Sequence, residues 1–330
     1  MKCLFMLALV AICAAAQADT NQFTMPFRGV ALPARDFKLV NHIPRERLAR
    51  LPKKLRVYRY TGRAYEFPVA ALQILLDQSP FAGTNITDLL PSGTNQTTTT
   101  HGFRLVSQDR LDYFIVSPGE GRIMVQSGER GRGMAPPDAV PSFETVQAQL
   151  FRLARAFGIN TNEMERQLDG SLFLRNREGE NFSFGGAIRS TISREVEVRR
   201  ALPDYPFNSI NDDRIALDVG VDGRLRKFSL TWPIIEPAAT NRLLSISKIM
   251  KGIKRGHVLS DILNEYPKGG IAEIELKDIR IEYYLPGQPL PLAAAVKADI
   301  YPIASMLVVF KSKTGETEEA GLYAPITDSK

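Results

Sequence analysis

Cysteine is almost missing from this 330-residue chain: there are two, Cys3 and Cys13, and both fall within the first eighteen residues. Thiol catalysis, Cys-ligated zinc and redox relays are therefore excluded for everything that follows. Histidine is scarce too. His42, His101 and His257 stand far apart, with no ligand or acid at metal-binding spacing, so no metal site or other cofactor is expected. There is no Gly-x-Ser-x-Gly, and a Ser-His-Asp triad could be assembled only from arbitrary picks. Gly-Glu-Arg-Gly-Arg-Gly at 128–133 lacks the Lys-Ser/Thr of a phosphate-binding loop and reads as linker. No nucleic-acid-binding motif occurs, and nucleic acid is not an expected partner.

Long apolar runs are absent after the first residues. Pro302 to Phe310 gives nine mostly apolar positions, and Leu285 to Ala298 is broken by Pro286, Pro289 and Pro291. Neither reaches the ~20 residues a spanning helix needs, so no transmembrane helix is expected in the mature chain. Met1 to Ala18 is different. It carries one early charge (Lys2), an apolar run from Cys3 to Ala16, and Ala16-Gln17-Ala18 ahead of Asp19, which is the pattern of an export leader cleaved after Ala18. The expected location is thus exported, periplasmic or extracellular.

What remains is a chain with 44% hydrophobic and 24% charged residues, which excludes disordered, collagenous and disulfide-scaffold classes. The charge is regional. Without Lys2 the balance is 41 basic against 36 acidic residues, yet ten basic and only two acidic residues lie between Arg35 and Arg63. The residues singled out there as partner- or anion-binding are Arg45, Arg47, Arg50, Lys53, Lys54, Arg56, Arg59 and Arg63. An exported basic arm of this kind suits lipid headgroups, envelope polymers or an acidic protein face, while the alternative is a solvated linker with an edge strand at 56–60. Tyr58 and Tyr60, set among the arginines, resemble a stacking surface.

The pattern predicts a short helix at 67–76, a loop at 79–100, and a hairpin from Leu111 to Gln126 turning at Ser117-Pro118-Gly119-Glu120-Gly121. Ser142 is a good N-cap for a helix whose apolar stripe is Val146, Leu150, Leu153 and Phe157, with Gly158 at its end. Asp222-Gly223 predicts a two-residue type I′ turn that places Leu217 opposite Phe228 and Asp218 opposite Lys227. Pro233 and Pro237 are expected to end that second strand. A further amphipathic helix is predicted from about 241 to 255, with Lys248, Lys251, Lys254 and Arg255 outside its apolar stripe, as a docking face or a solvated one. Strands follow near 279–285, 306–310 and 322–326. The acid pairs Asp212-Asp213, Glu163/Glu165 and Glu195/Glu197 are expected to be solvated or paired with nearby arginines.

The expected fold class is α+β, with repeated helix-on-antiparallel-sheet modules: a basic N-terminal arm at 19–65, a first degenerate module at 66–140, a second at 141–237 and a third at 238–330. This order of pieces resembles bacterial exported modules of the PepSY type and the YycH/YycI accessory proteins that regulate a membrane sensor kinase. The residues carrying the resemblance run from Phe103 to Ile326. They include Leu111 to Gln126, Val140-Pro141-Ser142, Asp222-Gly223 with Trp232-Pro233, Tyr283-Tyr284, Tyr301-Pro302-Ile303 and Tyr323-Ala324-Pro325-Ile326. An obvious N-terminal membrane anchor, present in those accessory proteins, is missing here. The resemblance implies a non-enzymatic binding or regulatory protein acting on an exported or membrane protein, and it carries over no catalytic residue. The alternatives are a cell-envelope hydrolase acting on glycan or peptide, and a structural envelope protein held by charge.

Overall fold

Strand-forming alternation runs through far more of the chain than the few helical stripes do, and the folded chain follows it. The computed structural model describes residues 30–31, 37–92, 97–128, 140–167, 169–182, 189–202, 205–255, 259–260, 270–284 and 299–326. Seventeen strands are described: β1 (Val30–Ala31), β2 (Lys38–Asn41), β3 (Lys54–Tyr60), β4 (Phe67–Pro68), β5 (Thr98–Thr99), β6 (Phe103–Val106), β7 (Tyr113–Ser117), β8 (Arg122–Gln126), β9 (Arg175–Phe182), β10 (Arg189–Leu202), β11 (Tyr205–Gly220), β12 (Leu225–Thr231), β13 (Ile235–Arg242), β14 (Leu259–Ser260), β15 (Ile271–Tyr284), β16 (Asp299–Ser312) and β17 (Thr317–Pro325). The α-helices described are α1 (Arg45–Ala49), α2 (Val69–Asp77), α3 (Phe143–Ala156) and α4 (Ile246–Lys254). The leader at 1–18 and most of the Gly-rich run at 128–133 lie outside the described residues.

Fifteen of the strands join into one hydrogen-bonded network with two parts. The first is antiparallel, in the order β6-β7-β8-β12-β11-β10-β9. Its core is closed by α2 and α3, which bury Leu72, Leu75, Leu76, Val146, Leu150 and Leu153 against Phe114, Ile123, Leu217 and Phe228. The second runs β1-β14-β17-β16-β15, with β2 parallel on β15 and the β3–β13 pair attached to the start of β16. Its core gathers Leu55, Tyr60, Ile253, Ile274, Ile281, Met306, Phe310 and Leu322. The two parts meet where β11 pairs β15 in parallel at Ile210 and Tyr283.

This is a mostly β fold and not the expected series of helix-on-sheet modules. The difference has a physical origin in residues 175–220. Between 175 and 202 many Arg and Glu residues disguise a period of two, in which Val196 and Val198 turn to the core and Glu197 between them turns to the other face, where it is buried against Arg199 and Arg214. The result is an extended ribbon of β9, β10 and β11, the last two 14 and 16 residues long. The second hairpin strand ends at Thr231, ahead of Pro233 as expected, and a new strand then runs through Pro237. Pro237 sits inside β13 at a bulge opposite Tyr58, in a strand that pairs only with β3 among the described residues, a position where its missing N–H is tolerated.

Local expectations fare better where pattern and turn chemistry agree. The Ser142 hydroxyl accepts from the Thr145 backbone N–H at the start of α3, the stripe Val146, Leu150, Leu153 and Phe157 is buried, and Gly158 takes φ +73 at the helix end. In the 214–231 hairpin Leu217 does pair with Phe228 and Asp218 with Lys227. The turn itself differs: Val221–Gly223 form a 3₁₀ turn, and a bulge after Asp218 places Val219 opposite Leu225. The β7–β8 hairpin also forms as expected. Gly121, at φ +58, brings its carbonyl to the Trp232 N–H at 2.8 Å, and a Cβ there would lie 2.6 Å from Pro233.

Candidate functional site

Three places concentrate charge, and the first two treat it oppositely. The first is buried at the junction of the two cores. Arg200 on β10 donates to the Pro233 carbonyl (2.6 Å), to Asp213 Oδ2 (3.4 Å) and to Glu163 Oε2 (3.0 Å), and stacks over the Trp232 ring at 5.1 Å. Trp232 Nε1 donates to the same Glu163 oxygen, and Tyr60 from β3 donates to Asp213 Oδ1 at 3.0 Å. Asp213 and Tyr60 are fully buried. Beside this knot, Glu197 accepts from Arg199 Nε (2.9 Å) and Arg214 Nη1 (3.3 Å), and Glu165 meets Arg175 at 2.8 Å, angled away from hydrogen-bond geometry.

Two of the carboxyls, Glu197 and Glu165, are shifted in opposite directions. Burial opposes ionisation of Glu197, but the Arg199 hydrogen bond and the charges of Arg199, Arg214 and Arg175 outweigh it and hold the group below its ordinary value. Burial dominates at Glu165 and pushes its carboxyl up despite Arg175 and Arg199. Burial likewise raises the Tyr65 phenol, whose hydroxyl donates to the Phe157 carbonyl at 3.0 Å. Asp213, expected to be solvated or paired with an arginine, lies in the middle of β11 and is paired with Arg200.

The second place holds the eight basic residues singled out from the sequence, and the structure divides them. Three are matched to acids. Arg47 makes a bidentate pair with Asp278 (2.8 and 3.1 Å), Arg59 a bidentate pair with Asp299 (2.5 and 3.2 Å), and Arg63 lies 3.6 Å from Glu236. Arg45, Arg50, Lys53, Lys54 and Arg56 are exposed. The segment is no detached arm or edge strand, because β3 is paired on both sides, with β13 and with β16. Nor do Tyr58 and Tyr60 form a stacking surface. Both are buried, Tyr58 edge-on to Tyr283 at 6.0 Å and Tyr60 on Asp213.

The pairing of β3 with β13 brings in a second basic segment that the sequence reading did not join to the first. Arg242 stands directly opposite Lys54, and the Leu243 N–H donates to the Lys53 carbonyl at 3.1 Å. Three residues on, Ser245 caps α4, whose Ile249 and Ile253 face the core while Lys248, Lys251, Lys254 and Arg255 are exposed. No acid occurs between Pro237 and Arg255, a sequence signal that could have drawn attention to Arg242. Like charges in direct cross-strand opposition are destabilising, so this face is held together against local electrostatics.

A third cluster lies on the outer side of the second sheet: Lys38, Glu273, Lys311, Glu275 and Lys277 alternate in sign. Hydrogen bonds from Lys277 and then Lys311 bring Glu275 down to about 2. His42 lies 3.9 Å from Glu275, His101 is exposed, and His257 lies outside the described residues. Among the described residues no group of three or more His, Cys, Asp or Glu side chains is arranged to hold a metal ion, and no helix is long and apolar enough to cross a membrane. No protein-family model matches the chain, and no curated protein matches it.

Proposed function

We propose that the chain is an exported, non-enzymatic binding and regulatory protein, cleaved after Ala18, that acts on a cell-envelope or secreted protein. The observation that carries this reading is how the molecule disposes of its charge. The buried acids Glu165, Glu197 and Asp213 and the half-buried Glu163 each contact an arginine, which suits a structural lock, whereas Lys54 and Arg242 stand exposed opposite one another on β3 and β13, and α4, which follows β13 in the chain, carries further exposed cations. β6 and β9 stand at the two ends of the first sheet, where an extended partner segment can add main-chain hydrogen bonds.

The test is an in-cell crosslinking pull-down of the chain from Asp19, run beside a version with Lys53, Lys54 and Arg242 reversed to Glu. Reversal replaces deletion here because β3 is interior to the sheet. One exported or membrane protein recovered in stoichiometric amount by both versions supports the reading. Recovery of no such protein by either contradicts it.

A second reading, an envelope hydrolase acting on glycan or peptide, is favoured by one observation. Glu165 and Glu197 share a cluster and titrate in opposite directions, as an acid and a base of a hydrolytic pair do. Turnover of peptidoglycan fragments or peptides that Glu165→Gln abolishes, in a variant that still folds, would establish it.

A further inference from the structure

We infer that the exposed cations of the Lys53–Arg56 stretch and of Arg242 opposite it, together with those of α4 that follow Arg242 in the chain, form a docking surface for a bilayer bearing anionic phospholipid headgroups. This rests on the binding-protein reading and names the second contact such a protein makes, separate from its protein partner.

Three features of the face select lipid headgroups over an acidic protein. First, its cations come from two distant segments that meet only through the β3–β13 register, Lys54 against Arg242, with α4 starting directly after. Two like charges set opposite each other cost stability, and among the described residues no acid is paired with either, the kind of local cost that functional or strained sites carry. Second, among the described residues the large exposed apolar side chains are Ile74, Val106 and Leu307, and none of them belongs to β3, β13 or α4. Protein interfaces are anchored by aromatic and apolar residues and are depleted in lysine, whereas this face offers Lys53, Lys54, Lys248, Lys251 and Lys254. Third, Pro237 and the adjoining bulge interrupt the outer edge of β13, so an extended acidic peptide cannot add there as a regular strand. The apolar stripe of α4 is committed to the core through Ile249 and Ile253, which leaves contact by charge without insertion.

The experiment is co-sedimentation of the chain from Asp19 with vesicles of phosphatidylcholine alone or mixed with phosphatidylglycerol, at about 0.05 and about 0.5 M salt. Binding is expected only to the mixed vesicles and is expected to be lost at the higher salt. Each Lys or Arg near an anionic surface contributes roughly 1 kcal/mol, so Lys53→Glu, Lys54→Glu and Arg242→Glu together should weaken binding by more than about a hundredfold. The same charge change made at Arg104, Arg152 and Arg155, exposed on β6 and α3, should weaken it by less than about tenfold. Circular dichroism confirms that both triple variants remain folded. Absence of binding to the mixed vesicles, equal loss in both triple variants, or tighter binding to soluble polyphosphate than to vesicles overturns the inference. Failure here with the protein partner still captured removes only the membrane surface, while loss of the partner with vesicle binding intact removes only the protein-binding reading.

Discussion

The junction between the two cores and the basic segments β3, β13 and α4 hold comparable numbers of charges and handle them by opposite rules. At the junction Arg200, Asp213 and Glu163 are knitted together with Tyr60 and Trp232, and Glu197 is paired beside them with Arg199 and Arg214, because a buried charge left alone costs several kcal/mol. On the outer face Lys54 and Arg242 oppose one another in water, where mutual repulsion is weak enough to keep. Compensation thus marks the charges that hold the fold together, and the like-charge opposition of Lys54 and Arg242 marks those turned to something outside the molecule.

The comparison breaks most visibly if the buried charges are dispensable. Asp213→Ala leaves Tyr60 and Arg200 short of a buried partner, and urea unfolding should register a loss of about 3 kcal/mol or more. A loss no larger than that of an exposed substitution such as Arg45→Ala contradicts the division.

Within the same cluster, two glutamates should respond with opposite signs. Glu197 is held below its ordinary value, so its contribution exists above the unfolded carboxyl range and disappears as pH falls. Glu197→Gln should cost about 2 kcal/mol at neutral pH. Glu165 is pushed up by burial, so its contribution is full below the unfolded value and is lost as pH rises through the folded one. Glu165→Gln should be neutral or stabilising at neutral pH, and should flatten the fall in stability above the ordinary carboxyl range. Denaturation series at several pH values read both signs.

Acid offers a smaller effect on the outer side of the second sheet. Glu275, down at about 2, supports stability above the unfolded carboxyl value, and that support should fade as the solution is acidified from about 4.5 toward about 2. Lys311→Met, which removes one of its two lysine partners, should shrink this part of the acid transition in a thermal-unfolding series.

Much of the local structure was legible in the sequence, for identifiable reasons. Ser142, the four-residue stripe of α3 and Gly158 reinforce each other, and the Leu217–Phe228 register follows from matching apolar and charged pairs across a short turn. The strands at 175–202 were not legible, because Arg and Glu residues interleaved with Val196 and Val198 obscure their period of two. That miss turned a mostly β fold into an expected series of helix-on-sheet modules. At the site, the basic residues at 45–56 stood out by composition. Their union with Arg242 did not, since nothing local to either segment encodes a ladder between positions nearly two hundred residues apart. The burial of Tyr58 and Tyr60 was hidden likewise, because their partners Tyr283 and Asp213 come from other strands.

The smallest substitution bears most directly on the central claim. Lys54→Glu replaces a like-charge pair by an opposite-charge pair with Arg242, and the urea midpoint and phosphatidylglycerol-vesicle binding of this one variant should move in opposite senses. Stability should rise by about 0.5 kcal/mol while vesicle binding weakens severalfold. A variant that loses stability, or that binds the vesicles as the parent does, contradicts the account.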